Sequence, residues 1–280
     1  MIVSFGSRRS IISFVACAEV SVVKETVMER ITTGIPGLDK MLRGGLLPQS
    51  STLVEGAPGT GKTTLGMQFI YHGIVKCDEP GIILTFEQFP SQYYRDAANF
   101  GWDFRALEEQ GKLRIMMTSP EVSQAYLQEA GGQIEHLTRE MGARRILVDS
   151  LSHFERLAED HIQLRQLIYG FINGLKREGL TAILTRESPV LLGESEAYDE
   201  SIPFVVDTYI LLRYVEMESA IRKALLVLKM RGSDHDKDIR QFAVGARGIE
   251  VQSKFEGQEG IMSGSPRRMA ESFVEAFVRR

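Results

Sequence analysis

The stretch from Ser51 to Leu65 constrains this chain more than any other. Leu53 and Val54 read as part of a buried strand, Gly56-Ala57-Pro58-Gly59-Thr60-Gly61 as a tight loop, and Lys62-Thr63-Thr64 as the start of a helix. Together they complete the G-x-x-x-x-G-K-[ST] pattern in its strand–loop–helix setting. Phosphate oxygens are met in such a loop by backbone N–H groups, so the loop must curl as only glycine permits. The helix N-terminus adds partial positive charge where the phosphates sit. Lys62 is expected to reach the β- and γ-phosphates, and the Thr63 hydroxyl to ligate Mg²⁺.

The surrounding pattern alternates strand and helix. A helix is expected to run from the loop to about Lys76, with Leu65, Phe69 and Ile70 on its apolar face. Gly81–Phe86, Leu113–Met117, Arg145–Ser150 and Thr181–Thr185 are apolar runs of strand length, as in a parallel sheet buried on both faces. Helices are expected from about Ser91 to Phe100-Gly101-Trp102 and from about Glu121 to Met141, the latter weakened by Gly131-Gly132. A long helix carries Leu164, Leu167, Ile168, Phe171 and Leu175 at helical spacing. This order predicts an α/β fold with the ligand at the carboxyl ends of the strands. Asp149 ends an apolar strand, the position from which P-loop enzymes present a carboxylate behind Mg²⁺. From about Val205 the character changes. Val205–Tyr214, Lys223–Met230, Gln241–Val244 and Ile249–Val251 read as antiparallel hairpins at one sheet edge, and Pro266–Arg280 as a short amphipathic helix.

At 280 residues the chain is long enough for one large domain with tails. The net charge of −4 gives no basic footprint and disfavours a dedicated nucleic-acid binder. Cys17 and Cys77 are too few for a disulfide framework and fit a reducing cytoplasm. Residues 1–27 read as a leader, either disordered or upstream of a true start at Met28; Arg8-Arg9 before an apolar run also has the form of a short signal peptide. That run is too short to span a membrane. The division is then leader 1–27, nucleotide-binding domain 28–266 and tail 267–280.

Several motifs together resemble the KaiC-type ATPases of the RecA superfamily. They are Thr32-Thr33-Gly34-Ile35-Pro36-Gly37-Leu38-Asp39 before the P-loop, Thr85-Phe86-Glu87, Val148-Asp149-Ser150-Leu151-Ser152, Lys229-Met230-Arg231-Gly232-Ser233-Asp234-His235, and Ile261-Met262-Ser263-Gly264-Ser265-Pro266. The last is similar to the close of the second ATPase repeat of that family. The resemblance implies a RecA-like P-loop fold with a mostly parallel sheet, assembled as a ring, a hexamer, with ATP and Mg²⁺ between subunits. It implies that Glu87 polarises the attacking water and that Asp149 holds Mg²⁺ through water. It further implies that Phe100 stacks on adenine, that Lys229 and Arg231 reach the neighbour's γ-phosphate, and that Ser233 and His235 fall near the nucleotide, His235 beside the sugar. Glu87, with Thr63 and Asp149, is counted on the metal side. Alternating Lys-x-Arg at a strand end also points both cations to one side.

Two departures stand out. Where the family's second repeat carries paired glutamates, this chain has Glu87-Gln88. Where it carries its phosphorylated Ser-Thr pair, this chain has Pro203-Phe204, neither of which can accept phosphate. Hydrolysis without autophosphorylation is expected, in an oligomeric switch read by a regulatory protein. An autokinase using another hydroxyl, such as Ser201 or Thr208, is an alternative. A single-stranded-DNA-binding ATPase is another, disfavoured by the Glu187–Val205 stretch, which holds five carboxylates and no Lys or Arg.

Overall fold

The computed structural model describes residues 29–128, 132–188, 202–217, 219–255, 258–259 and 267–268. Nine strands form one sheet in the order β3-β2-β4-β5-β1-β6-β7-β8-β9. They are β1 (Ser51–Gly56), β2 (Gly81–Thr85), β3 (Leu113–Met117), β4 (Arg145–Asp149), β5 (Thr181–Glu187), β6 (Thr208–Met217), β7 (Ala220–Met230), β8 (Arg240–Gly245) and β9 (Gly248–Lys254). From β3 through β6 every neighbouring pair is parallel, and from β6 to β9 every pair is antiparallel.

The helices are α1 (Leu38–Met41), α2 (Lys62–Cys77), α3 (Pro90–Ala98), α4 (Phe104–Glu109), α5 (Pro120–Gln128), α6 (Gln133–Met141) and α7 (His161–Arg177), with 3₁₀ turns at Leu151–Leu157 and Ile202–Phe204. The central strands β1, β2, β4 and β5 are buried at nearly every position, and apolar through their middles, because both faces are covered. Val54, Ile83, Leu147 and Ile183 face one cluster with Leu65, Phe69 and Ile70 of α2. Their neighbours Leu53, Ile82, Val148 and Leu184 face the other, with Leu164, Ile168 and Phe171 of α7. Alternate side chains point to opposite faces of a strand, so a two-sided sheet reads as an unbroken apolar run.

Before the sheet, Asp39 organises the Thr-Gly-Ile-Pro-Gly-Leu-Asp segment. One carboxylate oxygen accepts from the backbone and hydroxyl of Thr33, each at 2.7 Å, and the other from Gly34 N at 3.2 Å. Gly34 has φ +72 and a Cβ there would lie 2.1 Å from the His72 ring. The turn against α2 therefore requires glycine.

Three expectations need correction. β6 runs parallel to β1, with Thr52 opposite Thr208, and only its other edge is antiparallel. It is the sixth parallel strand, brought beside β1 by the segment that follows β5. The expected helix over 121–141 is two helices, α5 and α6, with Gly132 as the N-cap of α6. Arg267–Arg268 is a two-residue strand paired with Gln258–Glu259, so the expected tail helix does not include them. Most of that tail, the leader and Ile261–Pro266 lie outside the described residues. No helix among the described residues is long and apolar enough to cross a membrane.

Candidate functional site

The carboxyl ends of β1, β2, β4 and β5 converge on one cleft of about 290 Å³, lined by residues that include Lys62, Thr63, Thr64, Glu87, Gln88, Asp149 and Glu187. Such ends are where open α/β sheets bind ligands. The loop from Gly56 to Gly61 curls over this end of β1, with Gly59 at φ +76 and Gly61 at φ +112. A side chain at Gly59 would also meet the Tyr214 hydroxyl at 2.8 Å. Gly61 caps α2 without a side-chain hydrogen bond. The first N–H groups of a helix have no intrahelical partner, and here they open onto the cleft.

Lys62 is buried, and its ammonium donates to the carbonyls of Gly56 (2.9 Å) and Ala57 (3.1 Å). Burial pulls its pKa below the usual lysine range, while Glu187, Asp149 and Glu55 pull the other way. Glu55, beneath the loop, is pushed up by burial despite Arg186 at 3.6 Å.

Asp149 accepts from three hydroxyls. Thr63 Oγ1 (2.9 Å) and Tyr93 OH (2.8 Å) share its Oδ2, and Thr185 Oγ1 reaches Oδ1 at 2.5 Å. Burial, and then the neighbouring Asp149 charge, push the Tyr93 hydroxyl far above its ordinary pKa, so it stays a donor. The Asp149–Ser150 peptide is cis. Glu87 stands on the turn after β2. Thr85 Oγ1 accepts from Gln88 N at 3.1 Å and from Glu87 N at 3.4 Å, shaping that turn. The Glu87 carboxylate is 69 % exposed and lies 3.5 Å from His153 Nε2.

The donors present fit phosphate and a hard cation. A P-loop lysine, uncapped helix N–H groups and a hydroxyl suit phosphate oxygens. Thr63 commits its proton to Asp149 and keeps a lone pair directed away from it, as an oxygen ligand for Mg²⁺ requires.

Other expected residues lie elsewhere. Phe100 packs against Trp102, ring centroids 4.7 Å apart, and is absent from the cleft lining. The aromatic cluster it joins with Tyr71 and Phe104 holds it there. Lys229 and Arg231 sit at the opposite end of the sheet. Met230 pairs with Thr208, which pairs with Thr52 at the start of β1, so roughly 15 Å of strand separates them from this chain's own loop. Both point to one side, as their alternation requires: Lys229 Nζ donates to Pro203 O (2.6 Å) and Arg231 Nη2 to Phe204 O (2.5 Å). Ser233 accepts from Arg30 at 2.8 Å, and His235 Nδ1 is buried without a partner among the described residues. Tyr93, Thr185 and Glu187 were not expected in the site. The one sequence signal for the last two is that they fall at the carboxyl end of a buried strand.

A glycine loop opening a helix, a lysine folded into it and a strand-end aspartate holding the next threonine define a P-loop NTPase fold. Comparison with known proteins narrows the class. Residues 31–256 match the family described as ATPase: KaiC. The chain is 37% identical over 246 residues to the circadian clock protein KaiC3 of Synechocystis sp. (strain ATCC 27184 / PCC 6803 / Kazusa), covering 88% of this chain and 48% of that protein. It is 36% identical to the circadian clock oscillator protein KaiC of Nostoc sp. (strain PCC 7120 / SAG 25.82 / UTEX 2576), covering 86% and 46%. The chain belongs to the KaiC ATPase family, whose fold is RecA-like. It spans about half the length of the curated relatives it matches.

Proposed function

We propose that this protein binds ATP with Mg²⁺ at the Lys62 cleft and hydrolyses it between copies of the chain arranged in a ring, a hexamer. The catalytic unit spans residues 28–266. The observation that carries this reading is the convergence of Lys62, Thr63, Glu87 and Asp149 on one cleft from three separate strand ends.

The loop N–H groups and Lys62 cradle the β- and γ-phosphates. Mg²⁺, when bound, neutralises charge shared between phosphate oxygens. Thr63 and Asp149 are the residues that would hold it, Asp149 through water, and Glu87 would stand on the same side. Glu87 orients a water in line with the γ-phosphorus and takes its proton as the water oxygen bonds to that phosphorus and the bond to the bridging oxygen breaks, with ADP as the leaving group. Lys229 and Arg231 of a neighbouring copy are the cations that balance charge on the moving phosphoryl, since they lie too far from their own cleft to do so. Ser233 and His235 would approach the neighbour's nucleotide from the same segment, and Phe100 its adenine after a rearrangement of its packing.

The protein then acts in the cytoplasm as a nucleotide-driven switch whose ring surface a regulatory protein reads. Autophosphorylation is not part of this reading, because the two residues whose carbonyls hold Lys229 and Arg231 are Pro203 and Phe204, without hydroxyls.

The test is incubation with γ-labelled ATP and Mg²⁺, with Glu87→Gln alongside. Free labelled phosphate from the wild type alone, and none retained on the chain, is the expected result. No release from the wild type overturns the ATPase reading, and label retained on the protein overturns the exclusion of autokinase activity.

A further inference from the structure

We infer that Tyr93 is a positioning residue for the metal side of this site, fixing the Asp149 carboxylate that would hold Mg²⁺ and tying it to the turn that carries Glu87. The inference rests on the Mg·ATP reading above and deepens it.

Tyr93 stands on α3, the helix that follows the Glu87 turn, and is 1% exposed. A buried tyrosine hydroxyl needs some partner. A backbone carbonyl would satisfy it as well. Here the partner is the Asp149 oxygen that also accepts from Thr63. An ionised carboxylate offers about four acceptor positions. Thr63 and Tyr93 take two on Oδ2 and Thr185 takes one on Oδ1. One position is left, on Oδ1. With that occupancy Asp149 has room for a single metal-bound water, and the plane of its carboxylate is fixed by donors on both oxygens.

The Tyr93 contact also crosses elements. β2 and β4 pair with Thr85 opposite Asp149, which anchors the start of the Glu87 turn beside the carboxylate. Tyr93 anchors the far side of that turn to the same carboxylate. The two acidic groups are thereby held in one frame. Without the hydroxyl, Thr63 and Thr185 still hold one oxygen each, but Oδ2 loses its second donor and the carboxylate its tie to the far side of the Glu87 turn, so the metal finds a less organised partner.

Tyr93→Phe tests this because it keeps the packed ring and deletes the donor. The measurement is equilibrium binding of a fluorescent ATP analogue, once in EDTA and once with saturating Mg²⁺, so it does not depend on turnover. In the wild type Mg²⁺ should tighten binding. In Tyr93→Phe the Mg²⁺-dependent gain should shrink about tenfold while affinity in EDTA stays unchanged. A gain equal to that of the wild type overturns the inference. So does an equal loss of affinity in EDTA and in Mg²⁺, which would mark Tyr93 as a structural residue only. A wild type that binds the analogue no better with Mg²⁺ overturns the Mg·ATP reading itself and this inference with it.

Discussion

Thr63 donates its hydroxyl proton to Asp149 across 2.9 Å, joining the first turn of α2 to the end of β4. The contact fixes which side of Thr63 Oγ1 carries its proton and which side carries its lone pairs. In a cleft that also holds the glycine loop, Lys62 and the carboxylates of Glu87 and Glu187, that is the orientation a metal ligand needs.

Because the two residues act as one unit, their substitutions should not add. Asp149→Asn presents an amide to three hydroxyl donors, and Thr63→Ala removes the proposed metal ligand. Each should lower Mg²⁺-dependent ATP turnover, by about 10²-fold in a site where outer partners alone are worth 10 to 100-fold. The double variant should be little worse than the poorer single one. Mg²⁺ titrations of turnover for all four proteins check this. Full multiplication of the two effects would show that the hydrogen bond has no functional content.

Glu87 should separate binding from chemistry. Its carboxylate is largely exposed, and among the described residues its ion-pair partner is His153 at 3.5 Å, so its charge contributes little to the fold. Glu87→Gln should therefore keep the wild-type melting temperature and nucleotide affinity while turnover falls by about 10²–10⁴-fold, the usual worth of a positioned base. Parallel binding and single-turnover measurements decide it. Residual turnover near wild type would move the role of base to another carboxylate, and Glu187, on the same cleft wall, is the first to examine.

Much of this was legible in the sequence, and the misses share a cause. The P-loop and Asp149 announce themselves because their chemistry demands fixed residue types at fixed spacing. The buried strands are equally plain, since alternate residues of β2 and β4 feed two different cores. Tyr93 and Thr185 could not be read in the same way. Each owes its place to a hydroxyl aimed across the sheet at a residue far away in the chain, and local periodicity carries no trace of that. The parallel direction of β6 is hidden for a similar reason: only its partner β1 fixes it. The short α4 escaped because six residues give too little period to see; its signal was the Asp103 cap, which accepts from Ala106 N at 3.0 Å.

The trans role proposed for Lys229 and Arg231 predicts complementation. Lys62→Ala would leave a copy with a dead cleft but intact trans cations. Arg231→Ala would leave an intact cleft with an incomplete neighbour. Each protein alone should turn over ATP at least about 10³-fold more slowly, in the range lost with a trans arginine. Mixed and allowed to reassemble, they should regain a part of wild-type activity, because some interfaces pair a good cleft with good cations. Steady-state assays across mixing ratios test this, and a mixture no more active than its parts would place both cations outside the reaction.

Stability should carry an acid-sensitive component at Asp207, away from the cleft. Its carboxylate is half-buried, which by itself raises the pKa. Lys176 at 2.5 Å and the Ser51 backbone and hydroxyl at 2.8 and 2.9 Å outweigh that and bring it below the usual carboxylate range. A carboxylate with a depressed folded pKa contributes stability that is fully present above its unfolded value of about 3.9 and is lost as pH falls through the folded value. Asp207→Asn keeps the shape, removes the charge and turns an amide toward donors. At pH 7 it should cost about 2 kcal/mol, the scale of hydrogen bonds to a charged group. As pH falls through the depressed folded value the wild-type carboxylate is itself protonated, so the gap between the two proteins should narrow. Denaturant unfolding of both at neutral and acid pH measures the gap directly, and subtracting one protein from the other cancels the titration of all remaining carboxylates. A gap of equal size at both pH values would mean that Lys176 and Ser51 hold the side chain by shape rather than by its charge.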